Sequence, residues 1–146
     1  MAAPVEETVV VAARTGVAAA LLAEHADALA GVCSVHVRVS CDPVVPGVSL
    51  QLWDACWKRS LALMARAGVA LGLSGVRLEP MSGYVRVRAV GEVSTTAGVA
   101  LVELWDHLTG DAIDQAAALL GVGLSVGEEP VEVPAELLAG PFGVRV

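Results

Sequence analysis

Between residues 34 and 40 the chain alternates, with Val35, Val37 and Val39 on one side and His36 and Arg38 on the other. A period of two marks a half-buried strand. The alternation returns over residues 84–93, where Val85 and Val87 oppose Tyr84, Arg86 and Arg88. Residues 48–53, 75–79 and 99–105 read as further strands, with a hairpin loop at 94–98. Residues 1–7 form a short frayed leader, and the β-branched run at 8–13 predicts a first strand. Residues 127–134 are acidic and flanked by proline, and predict an edge strand carrying Val131 and Val133.

Three stretches follow the helical spacing of three and four instead. Val17, Leu21, Leu22 and Leu29 predict a helix from Thr15 or Gly16 to about Ala30, with Gly31 as its stop. Trp57, Leu61, Met64 and Ala65 share one face of a helix over 54–67, with Asp54 as N-cap and Gly68 as stop. A third helix spans 111–120 and ends at Gly121. Residues 125–146 form an acidic, proline-containing C-terminal segment, in which Pro141-Phe142 is a docking point.

A strand–strand–helix unit occurs twice, over about 34–71 and 84–124. Both second strands end in Leu-Trp-Asp (Leu52-Trp53-Asp54 and Leu104-Trp105-Asp106), and His36-Val37-Arg38-Val39 resembles Tyr84-Val85-Arg86-Val87. The expected fold is a single α+β domain over 1–146, internally duplicated, with helices on one face of a mostly antiparallel sheet. A ferredoxin-like arrangement fits this order of elements. The alternative is paired β-α-β-β-β modules like those of glyoxalase-type barrels.

Composition narrows the function classes. The 146 residues are 55% hydrophobic and 17% charged, which excludes intrinsic disorder. The net charge is −7, with one lysine (Lys58) among nine basic residues. That balance argues against nucleic acid as a partner, because phosphate contacts call for Lys and Arg. Mean hydropathy is +0.68, yet charges from Arg14 and Glu24 to Asp111 and Asp114 interrupt every candidate membrane span. The N-terminus carries Glu6 and Glu7 where a signal peptide is basic. A cytoplasmic protein is expected, with Cys33, Cys41 and Cys56 as reduced thiols buried like small apolar residues.

The polar side of the sheet is the first candidate site. His36, Arg38, Tyr84, Arg86 and Arg88 all point away from the valines, and Tyr with Arg can grip an anionic ligand or an acidic partner. Polar residues facing water are also the ordinary state of an antiparallel sheet. A zinc set from Cys33, His36 and Cys41, with Cys56 or His25, fails because residues three apart on a strand face opposite ways. Asp106, Asp111 and Asp114, beside His107, read as helix-entry carboxylates. Trp53 and Trp105 occupy matched repeat positions, either capping the core or serving as interface anchors. No nucleophile elbow, P-loop or dinucleotide loop is present, so no catalytic residue, metal or cofactor is expected.

The composition and the strand–strand–helix style resemble small α+β proteins of actinobacteria and their phages or mobile elements. That resemblance implies an accessory or structural role, in the cytoplasm or in a virion. The leading expectation is a non-enzymatic interaction or assembly module that binds a protein partner or itself through apolar surface or sheet edges. The alternative is a small anionic-ligand-binding module or enzyme that uses the Arg/Tyr/His sheet face.

Overall fold

The computed structural model describes residues 4–73 and 75–139. In chain order the elements are α1 (Pro4–Glu24), β1 (Val32–Val37), β2 (Val48–Leu52), α2 (Trp57–Ala70), β3 (Val76–Pro80), β4 (Val85–Thr95), β5 (Gly98–Leu108), α3 (Asp111–Leu120), β6 (Val131–Val133) and α4 (Ala135–Ala139). The fold is α+β, with a six-stranded sheet in the order β1-β2-β5-β4-β3-β6. Among the described residues every neighbouring pair is antiparallel except β2 and β5, which run parallel.

Alternation along the strands decides which face is buried. Val48, Leu50 and Leu52 on β2, Val102 and Leu104 on β5, Val85 and Val87 on β4 and Val76 and Leu78 on β3 form one closed apolar face. The helices supply the opposing layer through Val17, Ala18 and Leu21 of α1, Leu61, Met64 and Ala65 of α2, and Ala116 of α3. The core is made of Val, Leu, Ala and a single Met, so its cohesion rests on close packing of small side chains. The other sheet face carries the polar residues of the same strands.

Three elements differ from expectation. Residues 8–13 belong to α1 and not to a strand, because Val10, Val11 and Arg14 fall on the same helical stripe as Val17 and Leu21. The Thr15 hydroxyl donates to the Val11 carbonyl at 2.7 Å, a bond across one helical turn. β-Branched residues cost a helix only a few tenths of a kcal/mol each, roughly, so the stripe prevails over propensity. Residues 4–7 are helical too, and Met1–Ala3 lie outside the described residues.

Helix α2 starts later than predicted. Its N-cap is Cys56 rather than Asp54, and Asp54 Oδ1 instead accepts the Cys56 N–H at 2.9 Å. The helix runs through Gly68 and stops at Leu71-Gly72. At the C-terminal end, residues 135–139 form α4, whose Leu138 is fully buried. Pro141-Phe142 lies outside the described residues. Two other expectations match: α3 ends at Gly121 in the left-handed conformation, and β6 is an edge strand.

Candidate functional site

Strand register gathers the polar residues. His36 pairs with Ser49 across β1 and β2, and Ser49 pairs with Glu103 across β2 and β5. On the other side of β5, Trp105 faces Arg88 and His107 faces Arg86. Glu103, Trp105 and His107 alternate along β5 and so share the open face. Of the five residues singled out from sequence, His36, Arg38, Tyr84 and Arg86 line one cavity of about 240 Å³, together with Ser49, Glu103, Trp105 and His107. Arg88 lies beside this cavity, tied to its floor through Glu103.

Glu103 is that floor. Its side chain is 1% exposed, yet it sits on the polar face, because neighbouring guanidiniums cover it. Ser49 Oγ donates to Oε1 at 3.0 Å. Arg86 Nη2 reaches Oε2 at 3.0 Å and Arg88 Nη2 reaches the same oxygen at 2.5 Å. Arg38 Nη2 stands 3.9 Å from Oε1. Val90 stands opposite Glu103, so Arg88 reaches it diagonally from two positions along β4, and Arg86 extends to it from four. Three guanidiniums surround this carboxylate, but Arg88 is shared with Glu79, so Arg38 and Arg86 against Glu103 leave the cavity an excess of one positive charge. The chain as a whole carries −7, so this cavity is a small positive patch on an acidic protein.

Arg38 is held from behind. Its Nη1 donates to the Pro46 carbonyl at 3.3 Å. Arg14 crosses from α1 and donates to the backbone carbonyls of Arg38 and of Ser40, the latter at 2.8 Å. That route requires Gly47, since a Cβ there would lie 2.6 Å from Arg14 Nε. The opposite end of the cavity is aromatic. Tyr84 lies against His107 with ring centroids 4.4 Å apart and tilted by 40°, and Trp105 lies against the same His107 at 5.1 Å and 51°.

A second cavity of about 300 Å³ adjoins on the β3 side, lined by Val44, Gly75, Arg77, Glu79, Arg88, Val90 and Glu132. Here two arginines meet two glutamates: Arg88 is 3.7 Å from Glu79, and Arg77 is 4.0 Å from Glu79 and 3.6 Å from Glu132. Its charges balance, so it has no net pull on an ion.

The remaining candidates separate. Asp106 is not a helix-entry residue, because β5 continues to Leu108 and turns this side chain to the core face. There it is 6% exposed, accepting a hydrogen bond from the Ser60 hydroxyl of α2 and another from the His107 backbone N–H at 2.8 Å. Burial pushes its carboxyl above the usual value, against the lowering effect of the Ser60 and His107 hydrogen bonds. Asp111 and Asp114 sit exposed on the first turn of α3, away from Asp106. Trp53 is 59% exposed just past β2, while Trp105 is half-buried in the cavity wall.

All three cysteines are free but exposed, contrary to the buried expectation, since each lies on an edge strand or in a loop where no apolar layer covers it. Backbone N–H groups of Arg59 and Lys58 hold the Cys56 thiol below its ordinary value. Among the described residues no three His, Cys, Asp or Glu side chains converge as a metal site. No helix among them is long and apolar enough to cross a membrane.

The sequence reading missed Glu103 and Ser49, and grouped His107 with Asp106, Asp111 and Asp114 rather than with the sheet face. The signal was present in Val102-Glu103-Leu104-Trp105-Asp106-His107, which alternates and places 103, 105 and 107 on one face. Comparison of the chain with protein-family models, with curated proteins and with solved structures finds no match.

Proposed function

We propose that the protein is a binding module whose open sheet face captures a small anionic ligand. One observation carries this: Arg38 just past β1, and Tyr84 and Arg86 at the start of β4, far apart in sequence, line a single cavity rather than splaying over a flat surface. The excess positive charge around Glu103 supplies attraction, and guanidinium forks suit carboxylate and phosphate oxygens. The acidic remainder of the molecule repels anions, so capture depends on the local field of this cavity and not on long-range steering.

The test is a titration of the isotope-labelled protein with inorganic phosphate at low ionic strength, followed by NMR. Shifts should concentrate on β1, β4 and β5 around the cavity, weaken with added salt, and fall about tenfold in affinity in Arg38→Ala or Arg86→Ala. Shifts scattered over the surface, or none, would remove the proposal.

A second reading, a module that self-associates or docks a protein partner, draws support from Trp53, whose large ring stands exposed at the end of β2. Light scattering decides it. A stable dimer that Trp53→Ser dissociates would favour assembly, and a monomer at all concentrations would remove self-association.

A further inference from the structure

We infer that the ligand of this cavity carries a planar ring as well as its anionic group, making it a small aromatic or heteroaromatic carboxylate or phosphate. The inference rests on the anion-binding reading and adds a ring requirement to it.

The cavity has two chemically different ends. At one end stand Arg38 and Ser49 over the Glu103 floor. Arg38 spends little of its donor capacity inside the protein, with one contact at 3.9 Å and one at 3.3 Å. A guanidinium offers five N–H donors in a planar fork, so most of its capacity remains for a ligand oxygen. Arg86 projects between the two ends.

At the other end Tyr84, His107 and Trp105 follow one another, each ring tilted from the next by 40–51°. Trp105 shows part of its ring to the cavity even though the apolar face of the same sheet lies one residue away. An aromatic surface left uncovered beside fixed cations suits a flat ring that bears a negative group, because the ring stacks while the charge pairs.

Volume agrees with this class. A cavity of about 150 Å³ accommodates benzene. The site measures about 240 Å³, so one ring leaves roughly 90 Å³ for a carboxylate or phosphate head. The adjoining cavity at Arg77 and Glu79 has neither excess charge nor an aromatic wall, and the same argument does not extend to it.

Calorimetry on the full chain with three probes tests the ring. Inorganic phosphate carries the charge alone, phenyl phosphate adds a π face, and cyclohexyl phosphate adds similar bulk without one. Phenyl phosphate should bind about tenfold tighter than inorganic phosphate, the size of one ordinary stacking contact, and clearly tighter than cyclohexyl phosphate. Trp105→Ala should erase that advantage, bringing phenyl phosphate down to the affinity that inorganic phosphate has for the same variant. Tyr84→Leu, at a half-exposed position, provides a second variant should Trp105→Ala not fold. Equal binding of phenyl phosphate and inorganic phosphate overturns the ring inference and leaves the anion site standing. Equal binding of the phenyl and cyclohexyl compounds also overturns it. Failure of all three probes overturns the anion site itself.

Discussion

Replacing Glu103 by Gln should weaken the fold and strengthen the binding face. The substitution keeps shape and an oxygen for the Ser49 hydroxyl, and removes only the charge. Arg86 at 3.0 Å and Arg88 at 2.5 Å lose their common partner, and Arg38 at 3.9 Å loses its counter-charge. Stripping one partner from a fully buried ion pair costs about 3–5 kcal/mol. The three guanidiniums are 23–39% exposed, so water relieves part of their repulsion, and about 2 kcal/mol is the expected loss. Binding moves the other way. An anion seated about 6 Å from the neutralised site no longer feels a repulsion of about 2.8 kcal/mol at an effective dielectric constant near 20. Halving that for the open mouth and for salt leaves about 1.4 kcal/mol, or about tenfold tighter binding. Urea denaturation with an unchanged slope measures the first effect, and phosphate titration measures the second. A variant as stable as the parent, or one that binds phosphate no better, would refute the view that Glu103 neutralises an otherwise overcharged pocket.

Two further outcomes follow from the same geometry. Asp106 has a native value above its unfolded one, so its contribution to stability is full at acid pH and is lost as pH rises through the native value. Asp106→Asn should therefore gain stability relative to the parent as pH rises from the ordinary aspartate value upward through the higher native one, and a difference that is flat or falls over that rise in parallel denaturation curves refutes the assignment. Gly47→Ala would place a Cβ 2.6 Å from Arg14 Nε; it should cost about 1–3 kcal/mol and reduce phosphate affinity, because Arg14 holds the backbone of Arg38, and a melting temperature within about a degree of the parent would contradict it.

Strands with clean alternation were legible from sequence because burial on one face imposes a period of two. Val35-His36-Val37-Arg38 and Val85-Arg86-Val87-Arg88 show it, and of their polar members His36, Arg38 and Arg86 line one cavity while Arg88 lies beside it. Residues 8–13 were misread because β-branched propensity is local, whereas the stripe that joins Val10 and Arg14 to Leu21 appears only over three turns. Asp106 was misread because the matching Leu-Trp-Asp segments invite equal roles. Pairing sets Leu104 opposite Leu50 rather than Leu52, so the two segments are offset and only Asp54 precedes a helix closely. Glu103 was invisible for a different reason. A carboxylate in an alternating strand looks water-facing, and its burial depends on arginines from two other strands whose registers no single segment reveals. The cysteines were misplaced because their burial depends on which strand lies at the edge of the sheet.

The parallel contact between β2 and β5 has a kinetic consequence. The β4–β5 hairpin closes across Thr96-Ala97 with eleven facing pairs, a local event that local chain entropy opposes little. Joining β2 to β5 must instead close the chain that runs from Leu52 to Gly98, so this contact, together with the β3–β6 pairing, is among the most distant in sequence in the sheet. The binding face straddles that seam, with Ser49 and Arg38 on one side and Glu103, Trp105 and Arg86 on the other. A ligand gripping both sides would act as a clasp on the slow-forming joint. Its clearest signature would be a slower unfolding rate, with little change in the rate at which the chain folds.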